Sequence, residues 1–231
     1  MKRFYREVGV VAEGTAWRVT LDGRGVKTQG GQAQLVPTRA LAEALAAEWA
    51  GQGDEIDPAR FVLRDLADYA LDVAGSDRCV TVAGLLRYAE TDTLCYLAEP
   101  EEPLHVRQLE LWEPLLKAAE ARWDIHFERV AGIVHRPQPA ATLKRLESVL
   151  LAKNDFDLAA LVTLTSISAS LVIGLAALEP EADIAALWQA SELEADWQAD
   201  LWGKDAEAEA RQEHRFAGFA AAARFARLAK A

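Results

Sequence analysis

Along the first third of the chain, apolar residues recur with the period of two that belongs to strands. Phe4, Val8, Val10 and Val11 form a β-type run that stops at Glu13-Gly14. Trp17, Val19 and Leu21 then alternate with Arg18 and Thr20, as in a half-buried strand. Asp22-Gly23 suits a hairpin turn, which needs positive φ angles. A returning strand is expected over 26–28 and another over 33–36, with Gly30-Gly31 between them. From Thr38 the period changes. Leu41, Leu45 and Trp49 fall at i, i+4 and i+8, giving a helix one apolar stripe, and Thr38 can cap its first turn. The stretch GQGDEIDP ends that helix. A second, over about 64–73, carries Leu66, Tyr69 and Val73 on one side.

The remaining two thirds read as helix. Helical patterns cover 80–96, 105–123, 141–153, 158–178, 181–202 and 204–228, with a short β-like run at 125–130 and a loop at Pro137 and Pro139. A polar break at Gly75-Ser76-Asp77 divides the pattern, so the expected domains are 1–75 and 76–231. The expected fold class is α+β: a small N-terminal domain of β-strands with helices, then a larger all-helical C-terminal domain.

The segment 158–178 bears no charge over 21 residues, long enough to cross a bilayer. It also holds five hydroxyls, at Thr163, Thr165, Ser166, Ser168 and Ser170. Thr163, Ser166, Ser170 and Gly174 form a stripe of small residues that would let another helix approach closely. Its flanks are acidic, without the basic bias of a spanning helix. A helix buried in a soluble bundle is expected, with no stable membrane insertion; a membrane-anchored adaptor is the competing reading.

Composition narrows the partners. The 231 residues carry a net charge of -11 and a pI of about 4.9. Such a surface repels phosphate backbones and anionic headgroups, so no nucleic-acid partner is expected. Cys79 and Cys95 form no CxxC pair, as expected for free thiols in a reducing compartment. The N-terminal run MKRFYREVGVV has no apolar signal segment. The expected location is the bacterial cytoplasm, or the mitochondrial matrix for a processed organelle protein.

The search for chemistry eliminates more than it finds. DGRGVKT lacks the order of a phosphate loop, and no GxGxxG follows a strand. His105, His126, His135 and His214 form no metal-ligating pair. TLTSISAS contains no nucleophile elbow; its hydroxyls can bond the preceding helical turn. No cofactor, metal or catalytic residue is assigned. What stands out is ELEADWQADLWGKDAEAEAR, residues 192–211, where Glu192, Glu194, Asp196, Asp200, Asp205, Glu207 and Glu209 surround two tryptophans. Leu193, Trp197 and Leu201 share one helical face, expected to be core. Glu194 and Gln198 border it, while Glu192, Asp196 and Asp200 are expected in water. Asp205 continues that border if the helix persists; alternatively Gly203 ends the helix, with Asp205 near the start of the next, where its charge suits the helix dipole. A carboxylate-dependent hydrolase remains an alternative, and it requires two acids facing one dry pocket.

The same stretch resembles the signature of the assembly chaperones of F-type ATP synthase. That pattern runs Ser-x-Leu-acid-x-x-aromatic-Gln-x-x-x-Trp-Gly, and Ser191, Leu193, Glu194, Trp197, Gln198, Trp202 and Gly203 match it in register. RFYREVGVV, VTLDGRGVKT, LVPTRALAEALAAEWAGQGDEIDP and YAETDTLCYLAEPEEPLHVRQLELWEPLL are similar to further blocks, so the resemblance spans nearly the whole chain. Gln29 replaces a common proline, FVLRDLADYALD lacks a usual Pro and Thr, and Ala195 stands where a second acid often lies. The resemblance implies no catalytic activity. It implies binding to the unassembled alpha subunit of the catalytic head, shielding it until it pairs with beta. The residues expected at that contact are Glu194, Gln198, Trp202, Gly203 and Asp205, on a chain expected to be monomeric when free.

Overall fold

The computed structural model describes residues 1–132, 134–203 and 205–230. The fold is α+β. It opens with β1 (Val8–Glu13), β2 (Ala16–Leu21) and β3 (Arg24–Gly25), an antiparallel sheet in that order with Val10 opposite Val19 and Leu21 opposite Arg24. The β2–β3 turn is the expected Asp22-Gly23, with φ of 48° and 78°. The returning strand is shorter and earlier than 26–28. Its regular part ends at Gly25, where the Arg18 side chain lies so close that a Cβ would fall 2.3 Å from Nε. Beyond it only single bridges form, Lys27 to Ala33 and Trp17 to Val36, so 33–36 is not a full strand.

Helix α1 (Arg39–Ala50) packs on this hairpin. The Thr38 hydroxyl accepts from Leu41 N at 3.1 Å, and Leu41, Leu45 and Trp49 are buried as their spacing requires. Helix α2 (Val62–Tyr69) runs into a π-helical turn, Ala70–Ala74. The wider turn rotates the apolar face, burying Ala70 and Ala74 and leaving Val73 exposed rather than beside Leu66.

The helices that follow are α3 (Arg78–Glu90), α4 (Pro103–Trp123), α5 (Ala140–Leu151), α6 (Asp155–Ser168), α7 (Leu171–Ala177), α8 (Ile184–Trp202) and α9 (Ala206–Leu228). Lys204, the expected first residue of the last helix, lies outside the described residues. The helix expected over 80–96 stops at Glu90 because the Asp92 carboxylate accepts from Leu94 N and caps a 3-10 turn, Thr93–Cys95. Two short parallel strands, β4 (Tyr96–Leu97) and β5 (Val130–Ala131), flank α4.

The uncharged segment 158–178 is two helices, not one. The chain breaks at Ala169, whose φ is 52°, and Ser170 caps α7 by accepting from Ile173 N at 3.0 Å. The small-residue stripe is broken with it, since Ser166 is exposed and Ser170 is spent on the cap. Among the described residues no helix is long and apolar enough to cross a membrane. Ser166 and Ser168 bond the preceding turn at Thr163 O (3.0 Å) and Leu164 O (2.8 Å).

Two compact units result. The first comprises Met1–Arg78, Asn154–Ala160 and Ala221–Ala231; the second comprises Cys79–Lys153 and Leu161–Ala220. The first holds Leu41, Leu45, Phe61 and Phe225 in its interior, and the second Trp112, Leu116, Phe127, Leu146 and Phe219.

Candidate functional site

The site region is built by α8. Asp183 starts it, its side chain accepting from Ala186 N at 3.0 Å. The first half is firmly seated. Trp112 Nε1 on α4 donates to Ala190 O at 2.8 Å, and Trp188 lies 5.7 and 5.8 Å from the rings of Phe216 and Phe219. The buried residues stop at Leu193, 6% exposed. Trp197 is half-buried, and Leu201 is 58% exposed rather than core. The apolar face read from the sequence is therefore core only at its start, because the last turns of α8 run past what they pack against.

Glu194, Gln198 and Trp202 follow one another at i, i+4 and i+8 along the exposed side. Glu194 is tied down: its Oε1 accepts from Gln108 Nε2 at 2.7 Å, and the buried Gln108 in turn accepts from Ala98 N at 2.7 Å. Gln198 Oε1 accepts from the Trp202 indole at 3.0 Å. That bond fixes the ring while leaving it 83% exposed. Gly203 ends the helix with φ of 94°, its N–H donating to Ala199 O at 2.9 Å. Asp205 does not continue the ridge. It opens α9, where its side chain accepts from Glu207 N at 3.2 Å.

Asp205 instead lines an open groove between α8 and α9, about 260 Å³, with Glu192, Asp196, Glu209 and Arg215. Glu192 corrects an expectation: it is 5% exposed, not solvated. Its Oε2 accepts from Arg215 Nη1 at 3.0 Å, and Arg215 also reaches Ile167 O and stacks over Trp188. Burial pushes the Glu192 carboxyl up, and the Arg215 charge pulls against it. The sequence held a signal for this, since Glu192 is one turn beyond Trp188 on the same face. Asp196 faces Gln212 at 2.9 Å. The pair of acids in one dry pocket that a hydrolase needs is not formed in this groove: Glu192 is bound to arginine, and Asp196, Asp205 and Glu209 are exposed. Among the described residues no group of three His, Cys, Asp or Glu is placed to hold a metal ion.

Comparison with known proteins gives consistent results. A family model described as the ATP12 chaperone protein matches residues 2–120. The chain is 24% identical over 184 residues to the mitochondrial protein atp12 of Schizosaccharomyces pombe, an alignment covering 74% of this chain and 63% of that one. The chain thus spans less than two thirds of the yeast protein's length. The crystal structure of Atp12 from Paracoccus denitrificans is 33% identical with a TM-score of 0.92, covering 99% of this chain and 98% of that one. A crystal structure from Agrobacterium tumefaciens, of a protein described as a chaperone, is 32% identical with a TM-score of 0.91, covering 97% and 85%.

Proposed function

The chain belongs to the ATP12 chaperone family, and from that membership we propose that it assists assembly of F-type ATP synthase by holding the unassembled alpha subunit of the catalytic head until beta replaces it. The observation that carries this reading is the Trp202 indole, 83% exposed yet fixed by Gln198. A rigid aromatic ring with Leu201 beside it is the kind of anchor that dominates protein interfaces. Glu194 and Gln198 supply polar contacts next to it, and Gly203 and Asp205 shape the end of the surface. An unpaired subunit of a ring exposes apolar surface that invites aggregation. Covering it with one aromatic anchor and a polar rim permits later exchange, since rim charges set encounter and specificity more than raw affinity. The chaperone then works by binding alone, as a monomer, in the bacterial cytoplasm or the mitochondrial matrix.

Co-purification of the chain with separately expressed alpha and beta subunits tests this. Alpha is expected to be retained and beta not. Trp202→Ala and Glu194→Lys should each lower alpha capture about tenfold, the loss of one good anchor; the melting temperature should be unchanged in Trp202→Ala and lower in Glu194→Lys, which strands the buried Gln108 Nε2. Absence of alpha capture by the unaltered chain overturns the reading. Undiminished capture by both variants removes the α8 ridge from the contact.

A further inference from the structure

The first unit holds a cavity of about 570 Å³ that shares no residue with the α8 ridge. Trp49 and Val26 give it apolar lining, and Phe4, 63% exposed, adds a second aromatic ring. Its cations are Arg24, Lys27 and Arg64, and its one carboxylate is Asp22. Asp22 is already engaged, its Oδ1 accepting from Arg6 N at 3.0 Å and Glu7 N at 2.8 Å. Arg24 and Lys27 form no ion pair with any described residue. The Arg64 guanidinium lies 5.6 Å from the centre of the Trp49 ring. Its Nε forms an ion pair with Asp68 at 3.5 Å, and Asp68 also accepts from Gln34 Nε2 and Gln29 N.

Trp49 adds a further observation. It is only 7% exposed, and its Nε1 has no acceptor among the described residues. A buried donor left unpaired costs about 1–3 kcal/mol, and this one belongs to a residue that lines the cavity. The cavity thus offers donors and positive charge around an apolar lining. The distribution of charge agrees. The second unit carries 22 acidic and 12 basic residues, and the first 14 and 13. An anion repelled by the second unit meets a near-neutral first one, with Arg24 and Lys27 at its cavity.

We infer that this cavity is a second binding site, for a carboxylate borne on an apolar or aromatic body. The carboxylate meets Arg24 and Lys27, and the apolar body lies against Trp49, Val26 and Phe4. Two sources share that chemistry: an acidic side chain beside an aromatic one in a polypeptide segment, and a free small carboxylic acid.

The test follows the Trp49 indole N–H signal by NMR in the full ¹⁵N-labelled chain, assigned by its loss in Trp49→Phe. The probes are phenylacetate and the peptide Ac-Asp-Phe-NH2, each against its neutral amide, phenylacetamide and Ac-Asn-Phe-NH2. At least one acid is expected to shift the signal saturably below about 10 mM, weak binding on the usual scale, while its amide does not. The acid that binds tighter identifies the source. Arg24→Glu with Lys27→Glu, two exposed positions, should weaken that binding at least tenfold without lowering the melting temperature. Trp202→Ala should leave it unchanged, which separates this site from the alpha-holding surface. No saturable shift with either acid, or equal shifts with the amides, overturns the inference.

Discussion

Asp92 is a fully buried carboxylate on which two helical segments depend, so its removal has a calculable effect. One oxygen accepts from Leu94 N at 3.1 Å and starts the 3-10 turn; the other accepts from Val172 N at 3.0 Å at the beginning of α7. In Asp92→Ala both N–H groups lose their acceptor inside the protein. Each stranded donor costs about 1–3 kcal/mol, so the variant should lose about 2–6 kcal/mol. Titration gives a sharper signature. Burial raises this carboxyl from 3.8 to about 6, against the opposing pull of its hydrogen bonds. Between those values the native chain keeps a proton that the unfolded chain has released. The contribution of Asp92 to stability is therefore fullest below pH 4 and declines as pH rises to 6. A shift of about two units corresponds to about 3 kcal/mol at about 1.4 kcal/mol each. Asp92→Asn cannot ionise and should lack this component. Urea unfolding of both proteins, followed by tryptophan fluorescence from pH 4.5 to 7, measures it. The stability of the unaltered chain relative to Asp92→Asn should fall by about 2 kcal/mol over that range, the rest of the effect lying below pH 4.5. A difference constant to within about 0.5 kcal/mol would mean that Asp92 titrates as if hydrated, and would refute the argument.

Two further outcomes are expected. A Cβ added at Gly174 would lie 2.4 Å from Thr165 Oγ1 and 3.0 Å from Leu161 Cδ1. Helix propensity alone would have Gly174→Ala stabilise by about 1 kcal/mol, but overpacking should make it destabilising by about 1–3 kcal/mol in urea unfolding. Thr165→Ala, which removes the unpartnered Oγ1, should recover most of that loss, and strict additivity of the two changes would contradict the contact. Cys79 is exposed, whereas Cys95 is buried and its thiol is held well above the ordinary range by burial and by nearby Asp92. A thiol reagent should therefore label one cysteine in the native protein and both in urea; native labelling of Cys95, located by peptide mapping, would contradict its burial.

Local rules carried much of the structure. Thr38 with Leu41, Leu45 and Trp49 needed only spacing and a cap to declare α1, and Asp22-Gly23 declared its turn. The i, i+4 placement of Glu194 and Gln198 beside the apolar face of α8 was legible from helical periodicity, but the exposure of Trp202 was not. The failures sit where distant residues decide. Ala169 is a good helix former, yet it takes a left-handed φ at a corner where its carbonyl accepts from the Thr93 hydroxyl, 76 positions away. Glu192 reads as a surface acid because Arg215, which covers it, lies 23 positions on. Leu201 matched a core stripe that ends before reaching it, since periodicity specifies a face and not how far the neighbours extend along it.

The make-up of the first unit bears on how the chaperone itself is made. The Thr38 hydroxyl that caps α1 donates to Leu228 O across 190 positions, and Phe156 stacks on the buried Phe225, 5.9 Å between ring centres. A ribosome delivers α1 long before it delivers either partner. Through most of translation the β1–β3 hairpin and α1 must wait as an unfinished core, with the slow closure that long-range contacts impose. Until α9 emerges, the first unit is a nascent chain with an open core.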